Sequence, residues 1–210
     1  MNRIEGKLIS TVTPFLLHLC ISQMVVMIFG SHCDTAEMTA ITAVLAVPIA
    51  TFLYHREIQR YQDRERRKGE KKKLVFAVVL GIAVSQGLTF LLNLIGVTRQ
   101  FSNETQEALL GAKLWVQILG SGIFAPIAEE VLFRGLTYQR MKRMTGTIWA
   151  TILSSALFAA YHGNPIQMMY AFPMALFLCV VYEKCDTITG PVAVHMAANL
   201  TAVIMNCAGV

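Results

Sequence analysis

The stretch Leu74–Thr98, LVFAVVLGIAVSQGLTFLLNLIGVT, contains no Asp, Glu, Lys or Arg. A helix crosses the hydrocarbon core of a bilayer with about 20 mainly apolar residues, so this stretch is long enough to span. Two others repeat the pattern. Leu8–Phe29 is free of charged side chains and exceeds that length, and Met38–Tyr54 is charge-free and nearly reaches it. Over the 210 residues, 55% are hydrophobic and only 15% are charged, where a soluble domain carries about 45–50% and about 25%. Mean hydropathy is +0.53. Disorder, a coiled coil, a collagen repeat and a disulfide scaffold are excluded by this composition. The expected fold is all-α, a polytopic transmembrane bundle of about seven spans, drawn at roughly 8–29, 38–54, 74–97, 114–139, 147–163, 165–182 and 188–208.

The missing charge is gathered elsewhere. Nine of the 18 Lys and Arg lie between His55 and Lys73, beside four Asp or Glu. The net charge of +5 and the pI near 9.0 are explained by this loop facing anionic lipid, without a nucleic-acid partner. By the positive-inside rule the loop 55–73 is cytoplasmic. The N-terminus then lies inside and the loop 30–37 outside. Arg140, Lys142 and Arg143 fall inside with the turn at Glu183–Asp186. The loop 98–113 falls outside, where Phe101, Leu109, Leu110 and Trp115 suggest an interfacial helix rather than open loop. Leu8–Phe29 is too long for a signal-peptide core and reads as a retained first span. The chain reads as one membrane domain, 1–210, with the first two spans peripheral. The five cysteines form no C-x-x-C pair and read as small buried hydrophobes, and Ser31-His32-Cys33-Asp34 reads as a solvated turn.

Ionisable groups inside a bilayer are costly and suggest function. The fourth span contains Ala125-Pro126-Ile127-Ala128-Glu129-Glu130-Val131-Leu132-Phe133-Arg134-Gly135. Successive helical residues point about 100° apart, so Glu129 and Glu130 face different partners. Glu130 and Arg134, at i and i+4, share a face and can pair. Glu129 is then free to act as a general acid or base. The alternative is that both acids clamp Arg134. His162 follows Phe158 at the end of the fifth span, and His195 and Asn199 share a face of the last. A base, two imidazoles and an amide make an inventory for hydrolysis. By residue count Glu129 falls nearer the inner end of its span and His162 near the outer end of its own. A break at Pro126 or around Gly163-Asn164-Pro165 would have to reconcile them.

Glu-Glu-x-x-x-Arg, Phe-x-x-x-His and His-x-x-x-Asn, in this order on successive apolar spans, resemble the CPBP family of CAAX proteases and bacteriocin-processing enzymes, also called the Abi family. The similar region runs over about 114–205, which divides the chain into N-terminal spans with the basic loop, 1–110, and a catalytic-type helical core, 111–210. The resemblance implies an intramembrane endopeptidase acting on a small membrane-associated peptide or precursor. Glu129 would activate water together with His162, while His195 and Asn199 would form the oxyanion site. Glu130, Arg134 and Phe158 would be structural. The family has been described as metal-dependent and as metal-free. Glu129, His162 and His195 could form a His₂Glu zinc set, but the spacing His-Glu-x-x-His is absent. A water-activating Glu without obligatory zinc is the preferred expectation, with zinc as the alternative. The competing functions are a non-catalytic immunity or scaffold protein of the same family and a proton-coupled transporter, for which no internal repeat is visible.

Overall fold

The computed structural model describes residues 3–61, 71–97 and 104–209. Residues 62–70 of the basic loop and 98–103 of the loop before the fourth span lie outside the described residues. The described residues are helical without a strand: α1 (Arg3–Phe29), α2 (Thr35–Tyr61), α3 (Lys71–Leu94), the short α4 (Glu104–Gly111), the long run α5 (Leu114–Tyr161), α6 (Pro165–Cys185) and α7 (Thr189–Ala208). All but α4 are long and apolar enough to cross a membrane. The chain is a multi-pass membrane protein. Phe76, Phe90, Met27 and Trp149 are among many large apolar side chains left exposed on helix faces, a surface suited to lipid rather than water.

α2 is longer than the charge-free stretch that predicts it. Its start is set by a reciprocal cap, in which Glu37 N–H donates to Asp34 Oδ1 at 2.8 Å and Asp34 N–H to Glu37 Oε2 at 3.3 Å. Ser31-His32-Cys33-Asp34 is therefore the turn that opens a helix. Its other end runs on to Tyr61 through good helix formers. Ala36, Ala43, Ala46 and Ala50 are buried on one face, at the spacing of a packed helix seam. Small side chains bring backbones close in membrane bundles. A Cβ on Gly120 would sit 2.6 Å from the Ala40 Cβ, so α2 meets α5 almost backbone to backbone.

α5 is the centre, with α1, α2, α6 and α7 packed on it. It spans 48 residues, about 70 Å of helix, far more than one crossing needs. The run passes Pro126 without interruption and breaks only at Gly146, where φ is 78° and ψ is 173°. That conformation is essentially restricted to glycine. The two limbs fold into a hairpin, so Phe133 on the first packs edge-on against Phe158 on the second at 5.0 Å. Glu129 lies one turn beyond Phe133 and His162 one turn beyond Phe158. The mismatch expected from residue counting is resolved in this way. The first limb continues through Arg140–Thr145 instead of ending near 139, and the break at Gly146 leaves Glu129 and His162 almost equally far from it. A second break falls where the sequence suggests one. Gly163 has φ 66°, Asn164 caps the N–H groups of Ile166 and Gln167, and Pro165 begins α6.

The first two spans are not peripheral. α1 turns Thr11, Pro14, His18 and Val25 inward, again at helical spacing. Pro14 cannot donate to the Ser10 carbonyl four residues back, and Arg140 Nη1 donates to that carbonyl instead. Arg140 and Arg143 both pair with the buried Glu57 of α2, Arg140 at 2.7 Å. Lys142 donates to both oxygens of Glu183 at 2.8 Å. The end of α2, the turn at Gly146 and the end of α6 therefore share one end of the bundle. At the other end Lys113 pairs with Glu37 at 3.3 Å, and Asn206 Nδ2 donates to the Leu110 carbonyl. All five cysteines are free thiols. Cys179 and Cys185 are buried as expected, whereas Cys20 and Cys207 are exposed.

Candidate active site

Glu129 and Glu130 sit on a short α-helical segment, Ala125–Glu130, between two wider π-helical segments, Gln117–Phe124 and Val131–Tyr138. π-Segments inside α-helices occur often at functional sites. The wider turn has a specific consequence here. Ala125 N–H bonds to the Gly120 carbonyl, five residues back. In that register the Ser121 carbonyl would be served by residue 126, which is proline and has no N–H. Asn199 Nδ2 donates to the Ser121 carbonyl at 2.8 Å. Pro126 thus creates the acceptor that docks α7 and orients Asn199, and one amide hydrogen of Asn199 remains for another partner.

Glu130 is fully buried. Its Oε1 accepts from Arg134 Nη1 at 2.8 Å and from His195 Nδ1 at 2.8 Å. Arg134 is 1% exposed. Its Nη2 donates to the Ala175 carbonyl at 3.3 Å, and its guanidinium lies 4.4 Å from the Phe158 ring centroid. Phe158 is therefore a cation–π platform as well as a packing residue. The carboxylate of Glu130 fixes the His195 ring and commits Nδ1. His195 Nε2 then faces Glu129, with Oε2 at 3.8 Å. Of the two acids, only Glu129 stands outside the Arg134 pair. Its side chain keeps 14% exposure against 0% for Glu130.

His162 is brought to the same region without a polar bond to the others. Its Nδ1 bonds to the Phe158 carbonyl at 2.9 Å, which leaves Nε2 available. Its ring lies 4.9 Å from Phe158 and 5.6 Å from Tyr161, while Phe158 is 6.1 Å from His195. Among the described residues no ion pair or hydrogen bond joins His162 to Glu129. Glu129 and His195 meet directly, Asn199 sits one turn along from His195, and His162 adjoins them across Phe158.

Residues 111–201 match the family model for Rce1-like type II CAAX prenyl endopeptidases. Under half of the chain is thus similar to that family. All three motifs, from Glu129 to Asn199, fall inside the matched residues. Two curated relatives are similar to the chain. YdiL of Bacillus subtilis, named as a candidate membrane peptidase, is 25% identical over 66% of this chain and 60% of its own length. The UPF0177 protein YaiH of Lactococcus lactis is 34% identical over 40% of this chain and 35% of its own. The chain thus spans less than two thirds of either relative. No solved structure matches it.

Zinc is the metal that the donor types of Glu129, His162 and His195 would suit. Among the described residues no three His, Cys, Asp or Glu side chains converge as a metal-holding set, and Glu129, His162 and His195 are no exception. The geometry of these three therefore does not fit the His₂Glu expectation. One buried histidine beside these residues lies in no motif. His18 of α1 is 7% exposed and bonds to the Tyr161 hydroxyl at 2.8 Å. An ionisable residue inside Leu8–Phe29 was the available signal, but its partner lies 143 residues away.

Proposed function

We propose that the chain is an intramembrane endopeptidase that hydrolyses a peptide bond in a small membrane-associated peptide or precursor. One observation carries this reading: Glu129 stands 3.8 Å from an imidazole that Glu130 and Arg134 hold in place. The ion pair has the structural role and the adjacent carboxylate is left for chemistry. Glu129 takes a proton from water, with His162 Nε2 as the second group on that water. The hydroxide oxygen bonds to the scissile carbonyl carbon, and the carbonyl electron pair moves to oxygen. His195 Nε2 and the second Asn199 amide hydrogen stabilise that oxyanion. Because Nδ1 is committed to Glu130, donation from Nε2 uses the imidazolium form. Collapse breaks the C–N bond, and the leaving amine takes the proton from Glu129. Each step uses groups of the chain itself.

The test is cleavage in proteoliposomes of quenched-fluorescence peptides, one farnesylated with a CAAX end and one unprenylated apolar precursor. Glu129→Gln and His162→Ala should each abolish it. Full activity in either variant would sink the mechanism.

Orientation and lipid contact belong to the same reading. The Gly146 end, with Glu57, Arg140 and Arg143, faces the cytoplasm. There Arg56 and Arg60 are exposed at i and i+4 on α2 and, with Arg140, line a cleft of about 570 Å³. Anionic phospholipid headgroups occupy it.

A further inference from the structure

Among the described residues, the mechanism above leaves one buried histidine unused. His18 lies in α1, within a stretch free of Asp, Glu, Lys and Arg, and outside residues 111–201 that match the family. It is 7% exposed. The other histidines not yet placed are different: His32 bonds to its neighbour Ser31 in an exposed turn, and His55 is exposed near the end of α2. A buried imidazole on a membrane helix is retained at a cost, and the hydrogen bonds and ring contact of His18 lead to Tyr161. Its ring stands edge-on to Tyr161 at 5.2 Å, and the Tyr161 hydroxyl lies 2.8 Å from Nδ1 and 3.4 Å from Nε2. Phe15, one turn earlier on α1, packs edge-on against the same ring at 5.9 Å. Tyr161 is thus clasped by α1 through an apolar contact and a polar one.

Tyr161 in turn touches the site. Its ring lies edge-on to His162 at 5.6 Å, and Phe158 bounds the His162 ring from another side at 4.9 Å. Among the described residues the His162 ring has one hydrogen bond, from Nδ1 to the Phe158 carbonyl. One bond leaves the ring free to rock about it, so its remaining orientation is set by the two rings beside it.

We propose that His18 is a positioning residue for the active site: it holds the Tyr161 hydroxyl, and the Tyr161 ring fixes the imidazole of His162 that shares the attacking water with Glu129. α1 is then part of the functional site although it lies outside the residues that match the family. This rests on the endopeptidase reading for its consequence in catalysis, but not for the positioning itself.

The experiment uses the full chain in two measurements. The first is cleavage of the two quenched-fluorescence peptides in proteoliposomes. His18→Ala and Tyr161→Phe should each lower kcat about tenfold or more with KM within about twofold, since small misplacements near the reacting atoms are costly. The double variant should be no worse than either single one, because the two residues act as one unit. His18→Gln, which keeps a hydrogen-bond partner for the hydroxyl, should restore most of the rate. The second is the ring signal of ¹⁵N-labelled His162 in micelles, which should shift in His18→Ala and return toward wild type in His18→Gln. If Glu129→Gln kills cleavage while His18→Ala and Tyr161→Phe leave kcat intact, the proposal fails and the endopeptidase reading stands. If Glu129→Gln cleaves at the wild-type rate, or the wild type cleaves neither peptide, the His162 signal decides alone. An unmoved signal overturns the positioning role.

Discussion

Glu129 and Glu130 are adjacent, yet the helix gives them opposite environments. A rotation of about 100° per residue aims Glu130 at Arg134 and His195 and leaves Glu129 beside the His195 Nε2. Their substitutions should therefore separate cleanly. Glu129→Gln should lower cleavage by about 10²–10⁴-fold, the usual contribution of a general base, with little change in thermal midpoint in detergent. Glu130→Ala should strand a buried guanidinium and lower stability by about 3–5 kcal/mol, read by the same melting measurement. Equal melting behaviour of the two variants would contradict this division. Asn199→Ala should leave the protein folded and reduce kcat by about 10²-fold, as for an oxyanion donor.

At the scale of the helix, α5 is decided by two residues that break ordinary helical rules. Gly146 takes φ 78° and ψ 173°, which any side chain resists. Gly146→Ala should cost about 1–3 kcal/mol and lower the thermal midpoint, although a Cβ there meets no other atom within 4 Å. A neutral result would mean that the turn can be made another way. Pro126 acts through a missing N–H. Pro126→Ala would supply a donor within α5 that competes with Asn199 for the Ser121 carbonyl. It should stabilise the helix while lowering cleavage about tenfold or more. A variant that gained both stability and rate would exclude any positioning role for that carbonyl.

For the molecule as a whole, charge sets the arrangement. Glu57 with Arg140 and Arg143, and Lys142 with Glu183, tie three helix ends together at one pole, and Glu37 with Lys113 marks the other. The cytoplasmic assignment of the first pole has a direct test in the turn 30–34. A variant retaining only Cys33 should react with a membrane-impermeant maleimide on intact cells. Labelling only after permeabilisation would invert the topology. Flotation with vesicles should show that Arg56→Gln with Arg60→Gln weakens the preference for anionic over zwitterionic lipid; no change would remove the headgroup assignment.

Much of this was legible in the residues. Charge-free stretches gave the spans, and the i and i+4 spacing gave the Glu130–Arg134 pair, because both depend on distances along one helix. Those distances are fixed by the backbone whatever the helix packs against. The spacing could not say where α5 turns, since Met141–Thr145 is as helix-compatible as what precedes it and only the φ of Gly146 decides. Nor could it bring His195 to Glu130, Asn199 to Ser121 or His18 to Tyr161. Those contacts join residues 65, 78 and 143 positions apart. The sequence alone determined a membrane bundle and the residue types of the proposed site. Tertiary packing decided which carboxylate is held by Arg134 and His195 and which stands outside that pair, because hydrogen bonds and burial between helices depend on neighbours that no local pattern specifies.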